Sequence, residues 1–153
     1  TKVPFKSVNL INGMADPEEE SKRYSKLLKD INIDIIFMGI GENGHIAFND
    51  PGVANFNDSK AVKVVELEES CRIQQVNDGC FKEIEDVPTR AITLTIPTLT
   101  SADYVFCIVP TENKAVAVNE ALTGEISEKC PASILRNTKN VNMYIDEACA
   151  KLL

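Results

Sequence analysis

The stretch that decides the fold is residues 33–52, IDIIFMGIGENGHIAFNDPG. Its first part, residues 33–38, is apolar apart from Asp34 and ends at Gly39. Such a run is typical of a strand that is covered on both faces, as in a parallel sheet. The glycine-rich part that follows should therefore lie at the carboxyl end of a strand, which is where ligands bind in open α/β sheets.

Predicted strands and helices alternate along the rest of the chain. A helix should start at Asp16-Pro17, because Asp caps free amides and Pro suits the first helical position. Its buried face is expected to carry Tyr24, Leu27, Leu28 and Ile31. The pattern predicts strands at 62–67, 91–96 (ended by Pro97), 104–109 and 141–145, and helices at 68–77, from a Thr111 cap to residue 122, and at the C-terminus. This alternation predicts a single α/β domain, residues 1–153, with a doubly wound, mostly parallel sheet.

The composition indicates which kinds of binding partner and which cellular location are expected. Sixteen Lys and Arg against 23 Asp and Glu give a net charge of −7, which argues against nucleic acid or an anionic membrane as the partner. No apolar run approaches the about 18 residues of a membrane span. The five cysteines form no CxxC pair, so neither a disulfide framework nor a cysteine metal site is expected. A cytoplasmic location fits these features best.

Residues 39–44 match the G-x-G-x-x-G pattern of dinucleotide-binding loops. That pattern should open a long helix whose N-terminus faces the pyrophosphate. Here residues 49–52, Asn-Asp-Pro-Gly, interrupt the chain too soon for such a helix. We therefore expect a loop without a nicotinamide or flavin cofactor.

The glycine-rich loop carries His45, the one histidine of the chain, beside Asn43 and Asp50. The surrounding glycines permit close approach of the backbone to a ligand, and a nearby carboxylate could orient the imidazole ring. A lone histidine is often structural. Its position in this loop favours a catalytic or ligand-binding role instead.

The run GIGENGHIAFNDPG, residues 39–52, closely resembles the signature of the glucosamine-6-phosphate deaminase/isomerase family. The resemblance continues through VPTRAITLTIPTL (87–99), YVFCIVP (104–110) and TENKAVAVNEAL (111–122). It implies a Rossmann-like enzyme, a hydrolase and isomerase of amino-sugar metabolism. Such an enzyme converts glucosamine 6-phosphate and water to fructose 6-phosphate and ammonia without a redox cofactor or a metal.

The resemblance also implies roles for individual residues. His45 would pass a proton to or from the ring oxygen of the sugar. Asp50 and Asn43 would orient the imidazole ring of His45. Many relatives carry Glu at the position of Asp50, and the side chain of Asp50 is shorter by about one methylene. Some relatives carry Asp at the position of Asn43. The residues expected to line the sugar site through their backbone are Gly39, Gly41, Gly44 and Ala47.

Lys114 is expected to bind the phosphate of the sugar. In the first turn of its predicted helix, the positive charge of Lys114 interacts unfavourably with the helix dipole, at a cost of up to about 1 kcal/mol. A phosphate bound at this helix start would be stabilised by both the backbone amides and Lys114. The family lysine that holds the phosphate matches this position. Arg72 is a second candidate, with Gln75 one turn further along as its alternative.

Several alternatives remain open at this stage. The substrate could be galactosamine 6-phosphate or a phosphogluconolactone, or the chain could bind a sugar phosphate without turnover. Members of the family are longer, so the chain is expected to be a C-terminal portion without the first strands, a phosphate loop and the base for the C2 proton. A homo-oligomer is expected, without regulation by a second sugar phosphate.

Overall fold

The structure is a computed structural model and describes residues 3–153. Two sheets and four α-helices make up its regular elements, which are joined by loops and short 3-10 turns. In chain order they are α1 (Pro17–Leu28), β1 (Ile35–Met38), β2 (Val62–Glu66), α2 (Glu69–Asn77), β3 (Arg90–Leu94), α3 (Ile96–Thr100), β4 (Tyr104–Val109), α4 (Ala115–Thr123) and β5 (Val141–Ile145). The 3-10 turns are Ile84–Asp86, Glu112–Lys114, Pro131–Asn137 and Cys149–Leu152.

The central sheet has three parallel strands in the order β1-β4-β5. Both β4 and β5 have the predicted bounds, and the mixed α/β class with a parallel sheet is confirmed. One face of β4 packs into the core, where Val105, Cys107 and Val109 are at most 1% exposed. Helix α4 contributes Val118 and two alanines to the same core.

The opposite face of this sheet is open, which corrects the expectation that β1 is covered on both sides. Ile35 and Phe37 of β1 are 50% and 73% exposed. Phe106 stacks between Phe37 and Tyr144, with ring centroids 5.4 Å and 6.4 Å away. The open face also carries the exposed side chains of Tyr104 and Ile108. An apolar run can predict a strand, but the cover on each face depends on how distant elements pack.

Strands β2 and β3 lie outside the parallel sheet and pair antiparallel with each other, with Glu66 opposite Arg90. This corrects the expectation that they join the doubly wound sheet. The chain between them includes α2 and the Ile84–Asp86 turn, and it returns β3 in the opposite direction. Helix α1 packs on this small sheet, where the Ser21 hydroxyl donates to the carbonyl of Val62 at 3.1 Å.

The predicted helix starts have mixed outcomes. Asp16 caps α1 as expected, because its carboxylate accepts from two backbone amides of the first turn. The predicted buried face extends too far, since α1 ends at Leu28 and Ile31 is 54% exposed. Pro97 does not end a strand but lies in the first turn of α3, where its missing N–H does no harm.

Thr111 does not cap a helix, which corrects that prediction. Its φ of 83° is unusual for a residue with a side chain, and a 3-10 turn precedes α4. The backbone N–H of Thr111 donates to Asp146 Oδ2 at 3.0 Å, and its hydroxyl donates to Asn113. These bonds hold the strained conformation and tie Thr111 to the residue that follows β5.

Within residues 3–153, no helix has the length and apolar character that a membrane crossing requires.

Candidate active site

The loop after β1 is anchored by the side chain of Asn49, which is fully buried. Its amide nitrogen donates to the carbonyls of Ile46 and Leu94 at 3.0 and 2.9 Å. The backbone N–H of Phe48 also donates to Thr93 at 3.1 Å. The loop consists of turns and contains no helix, as the sequence predicted. It is therefore fixed between the end of the parallel sheet and the small antiparallel sheet.

Two glycines of this loop are required by close packing. A Cβ on Gly41 would overlap the imidazole ring of His45, so the ring lies against bare backbone. Gly44 has a φ of 82°, and a Cβ there would come within 2.7 Å of the sulfur of Cys130. Gly41 therefore allows the packing of His45, and Gly44 allows the close approach of Cys130.

His45 belongs to a short chain of hydrogen bonds. Its Nδ1 lies 2.8 Å from Asn43 Oδ1 and 3.1 Å from Asp50 Oδ1. The side-chain amide of Asn43 donates to Asp50 Oδ1 at 2.8 Å, which assigns its oxygen to the side of His45. Since both neighbours of Nδ1 are acceptors, Nδ1 carries the proton in the neutral ring. The lone pair of Nε2 then remains for a ligand.

Asp50 is fully buried, and its charge is stabilised by these neighbours. Burial alone would raise the pKa of Asp50, but hydrogen bonds from His45 and Asn43 outweigh it and hold that pKa below its usual range. Burial and the charge of Asp50 raise the pKa of the Cys71 thiol to about 12. Asp50 is therefore an anion and Cys71 a neutral thiol at neutral pH.

The donor atoms of His45, Asp50 and Cys71 all lie within 4.8 Å of one another. These residue types can bind Zn²⁺. The hydrogen bonds to Nδ1 account for the position of His45 without a metal. We therefore interpret the cluster as a hydrogen-bonded network, and the absence of a metal stays a prediction from the sequence.

A cavity of about 460 Å³ lies beside the imidazole ring, at the carboxyl ends of β1 and β4. Three groups of residues line it, from the loop after β1, from the end of β4 onward, and from the end of α2. They are Gly39, Ile40, Gly41, His45 and Ala47; Ile108, Val109, Pro110, Thr111, Asn113 and Lys114; and Gln74 and Asp78.

Lys114 supplies the positive charge of this cavity. Its side chain is 13% exposed, and within the part of the chain that the structure describes, its buried Nζ has no hydrogen-bond partner. Glu42 Oε1 is 3.8 Å away, which is an ion pair rather than a hydrogen bond. A buried ammonium without a hydrogen bond is costly, so this atom can accommodate an anionic ligand.

The structure brings most of the predicted site residues together. Among those predicted to bind substrate, the ones lining the cavity are Gly39, Gly41, Ala47 and Lys114. Asn43 and Asp50 contact the far side of the His45 ring, while Gly44 faces Cys130.

Arg72 lies outside this cavity, and its guanidinium donates to the carbonyls of Ile84 and Val87. Gln75, the alternative to Arg72, lines a second cavity beside Phe48. From α2 and its C-cap, Gln74 and Asp78 reach the cavity beside His45 instead. The sequence signal that could have identified both residues is their i, i+4 spacing, because residues so spaced share one helix face. Asn113 also lines the cavity and was not predicted from the sequence.

A sequence model of the family described as glucosamine-6-phosphate isomerases/6-phosphogluconolactonase matches residues 1–144. The chain belongs to this family. Among curated relatives, a glucosamine-6-phosphate deaminase of Bacillus cereus (strain B4264) is 45% identical over 151 residues. One of Exiguobacterium sibiricum is 43% identical over 143 residues. These alignments cover 98% and 94% of this chain but 56% and 55% of the relatives.

Solved structures with a similar fold include two enzymes. A monomeric glucosamine-6-phosphate deaminase matches with a TM-score of 0.85 and 39% identity, over 94% of this chain and 58% of that chain. The 6-phosphogluconolactonase of Trypanosoma brucei matches with a TM-score of 0.70 over 94% of this chain and 56% of that chain. Its 21% identity shows the shared fold alone. The chain thus spans little more than half the length of these family members.

The fit of Gly41 against His45 gives a direct test. We expect Gly41→Ala to push the ring away from Asn43 and Asp50, because the added methyl overlaps it. Since the chain has one histidine, its imidazole ¹⁵N signals report this without overlap. The variant should shift those signals, and overpacking should lower the free energy of unfolding by about 1–3 kcal/mol. Gly13→Ala is the control, since its Cβ meets nothing within 4 Å. Identical ring signals in both variants would contradict the packing role.

Asp50 should make folding stability depend on pH. Its pKa is lowered in the folded state, so its stabilising contribution is fully present above its unfolded pKa of about 3.9 and is lost as pH falls through the lower folded pKa. The stability difference between the native chain and Asp50→Asn, measured by urea unfolding, should therefore be largest near neutral pH. It should shrink below about pH 4. The exposed Asp30→Asn serves as the charge control, and a difference that grew in acid would contradict the assignment.

Proposed function

We propose that this chain carries the phosphate-binding lysine and the ring-opening histidine of a glucosamine-6-phosphate deaminase. The observation that supports this most is the buried Lys114 ammonium, which has no hydrogen-bond partner within residues 3–153 and lines the same cavity as His45. A sugar phosphate has an anion at one end and a hemiacetal at the other. The cavity offers a cation for the first and an acid–base group for the second.

Lys114 would hold the phosphate through charge-assisted hydrogen bonds, which are shorter and stronger than neutral ones. Its amine is the buried cation of the cavity, while Asp78 at the C-cap of α2 carries negative charge. The phosphate is therefore expected at Lys114 and not at the α2 side. Arg72 remains a predicted ligand, although its donors are engaged by backbone carbonyls.

His45 would open the sugar ring by moving one proton. Nε2 accepts the proton of the anomeric hydroxyl as the C1 carbonyl forms, and the resulting imidazolium donates it to the ring oxygen as the C1–O bond breaks. The Asp50 carboxylate, 3.1 Å from Nδ1, stabilises the positive ring during this transfer. Asn43 orients both groups through its amide.

The next step moves a proton from C2 to C1 and needs a base. We propose that this base belongs to the 44% of the Bacillus cereus relative that the alignment does not cover. The isolated 153 residues are then expected to bind the sugar phosphate and open its ring but to release little ammonia. Galactosamine 6-phosphate and 6-phosphogluconolactone belong in the same assay as alternative substrates.

The remaining expectations for the whole protein stay proposals. They are a cytoplasmic location, a homo-oligomeric state, a small-molecule sugar phosphate as partner and no contact with nucleic acid. The net charge of −7 supports the last of these, because an anionic surface repels phosphate backbones.

Removal of the amine should weaken substrate binding. We expect Lys114→Met to lower the affinity for glucosamine 6-phosphate at least about tenfold by calorimetry, because the phosphate loses a partly buried charge-assisted contact. Lys151→Met is the matched control, since Lys151 is exposed and pairs with Glu112. Equal affinities of the Lys114→Met and native chains would exclude phosphate contact at Lys114.

Loss of the imidazole should slow ring opening more than binding. The exchange between α and β anomers of glucosamine 6-phosphate, followed by NMR, reports ring opening without any C2 chemistry. We expect His45→Gln to lower this exchange at least about 100-fold with little change in affinity, since one acid–base group contributes about 10²–10⁴ in rate. Unchanged exchange would remove His45 from this role. Ammonia and fructose 6-phosphate measured in the same samples tell whether the later steps occur.

A further inference from the structure

Glu42 holds a carboxylate beside the amine that the proposed function assigns to phosphate. Its Oε1 lies 3.8 Å from Lys114 Nζ. The side-chain amide of Asn113 donates to the same oxygen at 2.5 Å, and the backbone N–H of Glu42 donates to Gln74 at 3.3 Å. Glu42 is thus held by residues from two walls of the cavity.

The Glu42 carboxylate offsets the charge of Lys114 without accepting a hydrogen bond from its amine. At 3.8 Å the two groups attract each other, but Nζ makes no hydrogen bond within residues 3–153. The side chain of Glu42 is 41% exposed, whereas that of Lys114 is 13% exposed. The carboxylate can therefore turn towards solvent, while the amine has to find its partner inside the cavity.

We propose that Glu42 competes internally with the phosphate for Lys114, an inference that rests on the proposed function. A phosphate that bonds to Nζ has to lie next to the Glu42 carboxylate or displace it. Both cost binding free energy, because like charges repel and because the Asn113 contact is lost. Glu42 therefore sets the affinity for phosphate below what Lys114 alone would provide.

The competition between Glu42 and the phosphate would speed the release of product. A site that binds the phosphate end of substrate and product too tightly gains nothing in the chemical step and slows release. A carboxylate that returns to Lys114 replaces the departing phosphate. It also neutralises the amine of the empty cavity.

The test is the dissociation constant of inorganic phosphate for the 153-residue chain, measured by calorimetry in chloride buffer. Glu42→Gln keeps the size of the side chain and removes its charge. We expect phosphate to bind about tenfold more tightly, a value that allows for solvent screening at a partly exposed site. Glu112→Gln is the matched control, because it removes the same charge from an exposed carboxylate that pairs with Lys151. Its dissociation constant should stay within about twofold of the native value.

The same measurement in a Lys114→Met background separates this inference from the proposed function. The gain from Glu42→Gln should disappear there, because both residues act on one bound anion. If Lys114→Met abolishes binding but Glu42→Gln leaves it equal or weaker, the competition is wrong and the phosphate assignment stands. If phosphate binding does not depend on Lys114, or neither the native chain nor Glu42→Gln binds it, the phosphate assignment itself falls.

Discussion

The contact on which the site depends is that between the imidazole of His45 and the bare backbone of Gly41. Because no Cβ intervenes, the ring can lie deep enough for Nδ1 to reach both Asn43 and Asp50. Those two oxygens determine which nitrogen carries the proton. A fully buried carboxylate is tolerated here because the hydrogen bonds to its Oδ1 offset part of the lost hydration. Backbone packing thus determines the protonation pattern of the loop.

The cavity combines this histidine with the buried ammonium of Lys114, which has no hydrogen-bond partner within residues 3–153. Lys114 ends the 3-10 turn that follows the strained residue Thr111 and precedes α4. That path turns the lysine towards the loop after β1, where Glu42 offsets its charge without a hydrogen bond. Strain of this kind persists where surrounding bonds hold it, and here Asp146 supplies one.

Much of the parallel sheet and of the loop could be predicted from the sequence, because both follow from local signals. The apolar runs of β4 and β5, and the glycines around His45, carry their own pattern. The direction of β3 could not be predicted, since it depends on how the chain after α2 returns. For the same reason the phosphate candidate on α2 was ambiguous. The candidates were Arg72 and Gln75, and only the packing of α2 determines that Gln74 lines the cavity instead.

The edge position of β1 has a consequence for the motion of the site. Within the described chain, β1 hydrogen-bonds to one neighbour, β4, and one of its faces is open to solvent. The loop with His45 begins at the end of this strand, so it depends on an edge strand of the central sheet. Local opening of β1, with brief exchange of its amides with solvent, would therefore separate His45 from Lys114 before the core around β4 unfolds.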